Sequence, residues 1–128
     1  MKQEQIIVKE HKSPAIGQEI SCVMTGIEDS VLKNNKLIRE TIVRALNASK
    51  FGILNLSDHE FYPHGYTLMV LLSESHLAIH TYPEYNAIYF SLYSCRGPKD
   101  AEKTFKIFKQ AINPKKVNFV QSNQIPLI

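Results

Sequence analysis

Apolar positions along the chain change period several times, and each change marks an element. Residues 19–24, EISCVM, form a first short strand pattern. From about Asp29 to Ser49 the period becomes helical. Val31, Leu32, Leu37, Ile38, Ile42, Val43 and Leu46 fall near one face. Asp29 or Ser30 can cap the start of this helix, and Gly52 lies just past its end. Ile53 to Phe61 has strand character with broken alternation, and Pro63 and Gly65 mark a turn. Tyr66 to Leu72, YTLMVLL, is a nearly continuous apolar strand suited to the centre of a sheet. Strand pattern returns at Leu77–His80 and at Ala87–Tyr93, divided by the turn residues Pro83, Glu84 and Asn86. Arg96 to Asp100 is a loop. Phe105, Phe108 and Ile112 then repeat at helical spacing until Asn113-Pro114 stops the helix. Val117 to Val120 is a closing strand. The predicted order is β-α-β-β-β-β-α-β. It describes an α+β fold: a two-layer α/β sandwich with an antiparallel sheet and two main helices. Residues 1–16 are predicted to be a flexible N-terminal leader, and 17–128 a single domain.

Composition narrows the class. At 128 residues, with 44% hydrophobic and 21% charged positions, the chain has the proportions of a globular protein with one modest core. A core of that size makes a subunit interface a fair expectation. No apolar run approaches the roughly 18 residues of a membrane span, and the N-terminus has no signal-peptide pattern. The cytoplasm is therefore the default location, with no membrane partner. The net charge of +3 is too mild to point to nucleic acid. It is uneven, however. Residues 1–74 carry 8 basic and 9 acidic groups, and residues 75–128 carry 7 and 3. Two cysteines, Cys22 and Cys95, make no disulfide framework. The chain contains no CxxC, HExxH, GxGxxG or GxxxxGK pattern, so metal, dinucleotide and P-loop sites have no support.

The chemically odd segment is 73–84, SESHLAIHTYPE. Serines, histidines, glutamates and a threonine interrupt an otherwise apolar stretch, and buried polar groups need partners. In a strand, His76, Ala78 and His80 share one face, while Ser75, Leu77 and Ile79 share the other. Two histidines without a firm third ligand support a metal weakly. A Ser-His-Glu hydrolase would need a nucleophile elbow that is not visible. Taken singly, Ser75, His80, Cys95 and Phe61 each have a simple structural reading, and periodicity alone names no reaction.

Three motifs together do more. Phe61-x-Pro63-x-Gly65-x-Thr67, Ser73-Glu74-Ser75-His76-Leu77-x-Ile79-His80-Thr81-x-Pro83-Glu84 and Cys95-x-Gly97 make the chain resemble the prokaryotic S-adenosylmethionine decarboxylase family. The resemblance covers about residues 17–122. It implies a proenzyme that cuts itself at Glu74–Ser75 into a β chain, 1–74, and an α chain, 75–128. It implies a pyruvoyl cofactor derived from Ser75, which condenses with the substrate amine as a Schiff base and takes up the electrons released with CO₂. His80 and Thr67 match residues that assist processing. Cys95 matches the proton donor to the substrate, Phe61 an aromatic that stacks on adenine, and Glu84 an acid that grips ribose hydroxyls. The product would supply spermidine synthesis. The working unit would be a homodimer of cleaved αβ units with sites built from both protomers.

The N-terminal strand departs from the family pattern G-x-H-x-x-x-[DE]-x-x-G-C. Glu19 stands in place of the histidine, Val23 of the acid and Ile27 of the cysteine, and Tyr82 replaces a usual tryptophan. These departures point to one alternative, a pyruvoyl-dependent arginine or ornithine decarboxylase of the same family; the other alternative, a non-catalytic homologue, is expected to lack the processing residues that this chain has.

Overall fold

The computed structural model describes residues 13–128. Six strands form one sheet: β1 (Ile16–Thr25), β2 (Ile53–Glu60), β3 (Tyr66–Leu72), β4 (Ser75–Tyr82), β5 (Ala87–Ser94) and β6 (Lys116–Pro126). Their order across the sheet is β2-β3-β4-β5-β1-β6, and every neighbouring pair is antiparallel. A one-turn helix α1 (Asp29–Leu32), the long helices α2 (Asn35–Ala48) and α3 (Glu102–Ile112), and a 3-10 turn over Pro83–Tyr85 complete the chain. The two-layer α+β arrangement is the one expected from the pattern.

Strand alternation separates the two faces of the sheet. Ile20, Cys22 and Met24 of β1, Leu68 and Val70 of β3, Leu77 and Ile79 of β4, and Phe90 and Leu92 of β5 are buried against the helices. From α2, Ile38, Ile42, Ala45 and Leu46 reach down at helical spacing. From α3, Phe108 stacks on Phe90 with ring centroids 5.5 Å apart, and Phe105 meets Phe90 edge-on at 5.8 Å. Such aromatic pairs add about 0.5–1.5 kcal/mol each beyond their buried area. α3 ends where Asn113 takes a left-handed backbone, φ 57°, ahead of Pro114.

Several boundaries differ from expectation, and β4, predicted over Leu77–His80, spans Ser75–Tyr82. The helix predicted over 29–49 breaks at Lys33–Asn34. Asn34 caps α2 by accepting the Leu37 N–H at 3.1 Å, and a cap residue leaves the helical path at that point. β1 begins at Ile16 rather than Glu19, and the Ala15 carbonyl accepts the Leu127 N–H at 2.8 Å. Residues 1–12 of the predicted leader lie outside the described residues, and 13–15 precede β1. β6 runs to Pro126 instead of stopping at Val120. It is an exposed edge strand, so its polar residues give no burial signal.

Burial pushes the Cys22 thiol up from 9.0 to about 11. Burial, and then a 2.5 Å hydrogen bond to Asp58, push the Tyr66 phenol upward as well. Both groups keep protons in the folded state that the unfolded chain releases. The Cys22 contribution is complete below about pH 9 and is lost as pH rises through 11, whereas the Tyr66 contribution begins to fall only above about pH 10. Urea midpoints at pH 8 and 10.5 test this. The wild type is expected to lose stability, and Cys22→Ala to lose about 2 kcal/mol less over the same interval. Equal losses in the two proteins would remove Cys22 as a source.

Candidate active site

The sequence-predicted residues fall at the two ends of β4. The first group gathers where β4 begins. Ser75 pairs with Ser94 in the β4–β5 ladder, which brings Cys95 alongside the Glu74–Ser75 peptide. The Glu74 carbonyl accepts the Cys95 N–H at 3.3 Å and also the Cys95 thiol. The same N–H lies 3.4 Å from the Ser75 hydroxyl. Ser75 is nearly buried, on the helix side of the sheet, as its strand parity requires. Ser13 approaches the Cys95 sulfur at 3.5 Å. A hydroxyl, the carbonyl it would attack and two donors on that carbonyl's oxygen thus share one strand end.

The second group gathers at the far end. His80 pairs with Thr67 across β3–β4, and the Thr67 hydroxyl hydrogen-bonds His80 Nδ1 at 3.0 Å. The Tyr89 ring sits on the other side of His80, 6.1 Å away. Phe61, His64, Thr67, His80, Tyr82 and Glu84 line a cavity of about 380 Å³. Phe61 follows β2 and is held by a turn in which its N–H donates to the Gly65 carbonyl at 2.9 Å. Gly65 has φ 113°, which a residue with a side chain rarely adopts, and its missing Cβ leaves room beside the Phe61 ring. Phe61 is 53% exposed, which leaves its aromatic side chain accessible for stacking.

The two groups do not meet within one chain. Ser75 and His80 are five residues apart on one strand, about 16 Å at the usual rise. His76 and His80 share the open face, as predicted, and His76 stacks on Tyr93. Among the described residues no group of three or more histidines, cysteines, aspartates or glutamates could hold a metal ion. No helix there is long and apolar enough to cross a membrane.

Sequence reasoning passed over several neighbours of the site. His64 Nε2 lies 3.1 Å from Glu84 Oε2, and His59 meets the Phe61 ring edge-on at 4.5 Å. Arg96 and Asp100 brace the Cys95 turn. Only the two histidines had a signal, since they flank Phe61 and Pro63 in the first motif. The departing residues sit on two different rows. Val23 faces Tyr89, in the row of Thr67 and His80, while Glu19 faces Tyr93, in the row of His76. Both occupy the open face. Ile27 is buried.

Comparison with known proteins identifies the family. The S-adenosylmethionine decarboxylase profile matches residues 18–124. An S-adenosylmethionine decarboxylase proenzyme of Archaeoglobus fulgidus is 27% identical over 99 residues, which cover 77% of this chain and 88% of that one. An S-adenosylmethionine decarboxylase proenzyme 2 of Bacillus cereus is 43% identical over 79 residues, covering 62% of this chain and 64% of that one. The crystal structure of the adenosylmethionine decarboxylase from Aquifex aeolicus superposes with a TM-score of 0.76 at 25% identity, covering 88% of this chain and 90% of that one. The serine, carbonyl and cysteine at one strand end, the matched fold and a profile spanning almost the whole domain agree: this chain belongs to the S-adenosylmethionine decarboxylase family, whose cofactor is a pyruvoyl group.

Proposed function

We propose that this protein cuts itself between Glu74 and Ser75 and then decarboxylates S-adenosylmethionine as a homodimer with shared sites. The observation that carries the reading is the Glu74 carbonyl, held by both the amide and the thiol of Cys95 beside the Ser75 hydroxyl.

The chemistry follows from that contact. The Ser75 oxygen adds to the Glu74 carbonyl carbon, and negative charge develops on the carbonyl oxygen. Two donors already aimed at that oxygen stabilise the charge without reorganisation. Breakage of the C–N bond leaves Glu74 esterified to the Ser75 oxygen and frees the Ser75 amine. Loss of the Ser75 α-proton then expels the Glu74 carboxylate from Cβ. The resulting enamine tautomerises to an imine, and water releases ammonia and leaves a ketone. A base must take protons at the first and third steps, and His80 is suited by its chemistry. When formed, the pyruvoyl group supplies a carbonyl for the substrate amine and an electron sink for decarboxylation.

Small-molecule binding falls to the cavity at the far end of β4. Its open Phe61 ring suits a flat base or a sulfonium, and Glu84 suits hydroxyl donors. Cys95 is suited to return a proton to the substrate carbon after CO₂ leaves. The displaced acid favours a second reading in one respect, because Glu19 on the open face can take the cationic side chain of arginine or ornithine. Parallel assays with the three substrates separate these readings.

The homodimer answers a problem of reach. About 16 Å separates Ser75 from His80 along one strand, and a histidine side chain cannot span it. Met69 and Leu71 are each 55% exposed on the open sheet face, which suits an isologous interface. A two-fold axis there, with the two β4 strands antiparallel, brings the His80 end of one protomer over the Glu74–Ser75 peptide of its partner, from the open face and so opposite the Ser75 side chain.

Three outcomes are expected. Ser75→Ala should give a single chain of uncut mass by denaturing intact-mass spectrometry; a split at this bond in that variant would refute the mechanism. Cys95→Ala removes one of two donors on the carbonyl, and self-cleavage should slow on the order of a hundredfold. A normal time course would place the cysteine outside processing. Finally, His80→Ala and Ser75→Ala should each remain uncut alone. Co-expressed, the His80→Ala chain should be cut, because its partner supplies His80. If it stays whole in verified mixed dimers, processing draws on one chain only.

A further inference from the structure

We propose that Arg96 is a positioning residue for self-cleavage, locking the Cys95 turn onto the Glu74 carbonyl by tying it to the end of α2; this rests on the cleavage reading above.

The Arg96 side chain is 19% exposed and uses its guanidinium on several sides. Nε and Nη2 grip the Asp100 carboxylate at 2.7 and 3.2 Å. Nη1 donates to the Lys50 carbonyl at 2.7 Å and Nη2 to the Ser49 carbonyl at 2.9 Å, groups that the end of a helix leaves without partners. The guanidinium carbon lies 3.7 Å over the Phe51 ring. Nε is also 4.0 Å from Glu74 Oε2, on the residue that carries the scissile carbonyl.

The backbone of the turn is tied at the same place. Ser94 donates its hydroxyl to Asp100 at 2.5 Å and accepts the Arg96 N–H at 3.2 Å. Cys95 lies between these two anchored residues, and its N–H and thiol are the donors on the Glu74 oxygen. Without the fork, the 94–100 turn keeps its ladder on one side only. A shift of about 1 Å in a donor can cost on the order of a hundredfold in rate. An ammonium on a flexible stem cannot reproduce a planar fork that serves a carboxylate and two carbonyls at once.

Cutting at Glu74–Ser75 would leave Arg96, Asp100 and Cys95 on the α chain, and Ser49, Lys50, Phe51 and Glu74 on the β chain. The same contacts would then hold the new C-terminus of one product beside the new cofactor of the other.

The test is the self-cleavage time course of Arg96→Lys and Arg96→Ala full-length chains, by intact mass, with thermal midpoints measured on the uncut Ser75→Ala background. Both variants are expected to cleave at least tenfold more slowly than wild type. Guanidinium at millimolar concentration should restore part of the Arg96→Ala rate, and methylammonium should not. Wild-type rates in Arg96→Lys, or slowing that no guanidinium relieves and that only follows a fall in midpoint, would reduce Arg96 to a helix brace and overturn the proposal. If Arg96→Lys does not fold, Asp100→Asn keeps the helix-end bonds while weakening the grip on the turn. It should also cleave at least tenfold more slowly, and a wild-type rate there overturns the proposal. A wild-type chain that never splits would sink the cleavage reading itself, a result distinct from either.

Discussion

The register between β4 and β5 is the constraint on which the site depends. Ser75 stands opposite Ser94, and from that pairing Cys95 falls beside the Glu74 carbonyl. Nothing in the reacting groups themselves is strong enough to choose this alignment. The choice is made by Leu77 and Ile79, which the same register points into the core beside Leu92 and Phe90. A slip of one residue would expose both and drive His76 and His80 against the helices. Burying each aliphatic side chain contributes about 1.5–3 kcal/mol, and stranding an imidazole without partners adds a cost of similar size. Hydrophobic packing along the strand therefore sets the position of a peptide bond at its end. The bond gains its donors as a consequence of where the core residues sit.

How far the sequence revealed this differed between fold and site. The alternation in SHLAIHTY is strict, so the face of each β4 residue is legible from the amino acids alone, whereas the nearly continuous apolar run of β3 hides its open face, where Met69 and Leu71 are exposed. The break between α1 and α2 was hidden, because Leu32 and Ile38 both remain buried and keep the apolar pattern running across Asn34. Only the competition between a side-chain oxygen and the helix ladder ends the segment there. β6 was hidden for the opposite reason. Its pairing with β1 is made by backbone groups, and an edge strand of exposed residues leaves no periodic trace.

The site residues stood out as polar interruptions in an apolar run, yet their grouping was illegible. Glu74, Ser75, His80 and Glu84 lie close together in sequence and look like one constellation. A strand is a rod, and five residues of it carry His80 about 16 Å from Ser75. What joins residues across strands is register, which depends on every neighbour in the sheet. Thr67 reaches His80 from β3, and Cys95 reaches Glu74 from the end of β5. Arg96 was invisible for a related reason. As one charge in a loop it looks like surface, and its role depends on Ser49 and Lys50, which lie more than forty residues away.

Strand order explains how such a protein could be cut and stay whole. Glu74–Ser75 lies in the short connection between β3 and β4, where cleavage breaks no ladder bond between Thr67–Leu71 and His76–His80. The first product would hold β1, α1, α2, β2 and β3, and the second β4, β5, α3 and β6. Across the sheet these alternate: β2 and β3, then β4 and β5, then β1, then β6. Three of the five strand pairings would thus join the two products, and α3 would place Phe105 and Phe108 in a core shared with the Ile38–Leu46 face of α2. Separating the chains would mean opening all three ladders and the core together. Interleaving lets the backbone be broken at the one place where a new carbonyl is needed, with the surrounding geometry left in register.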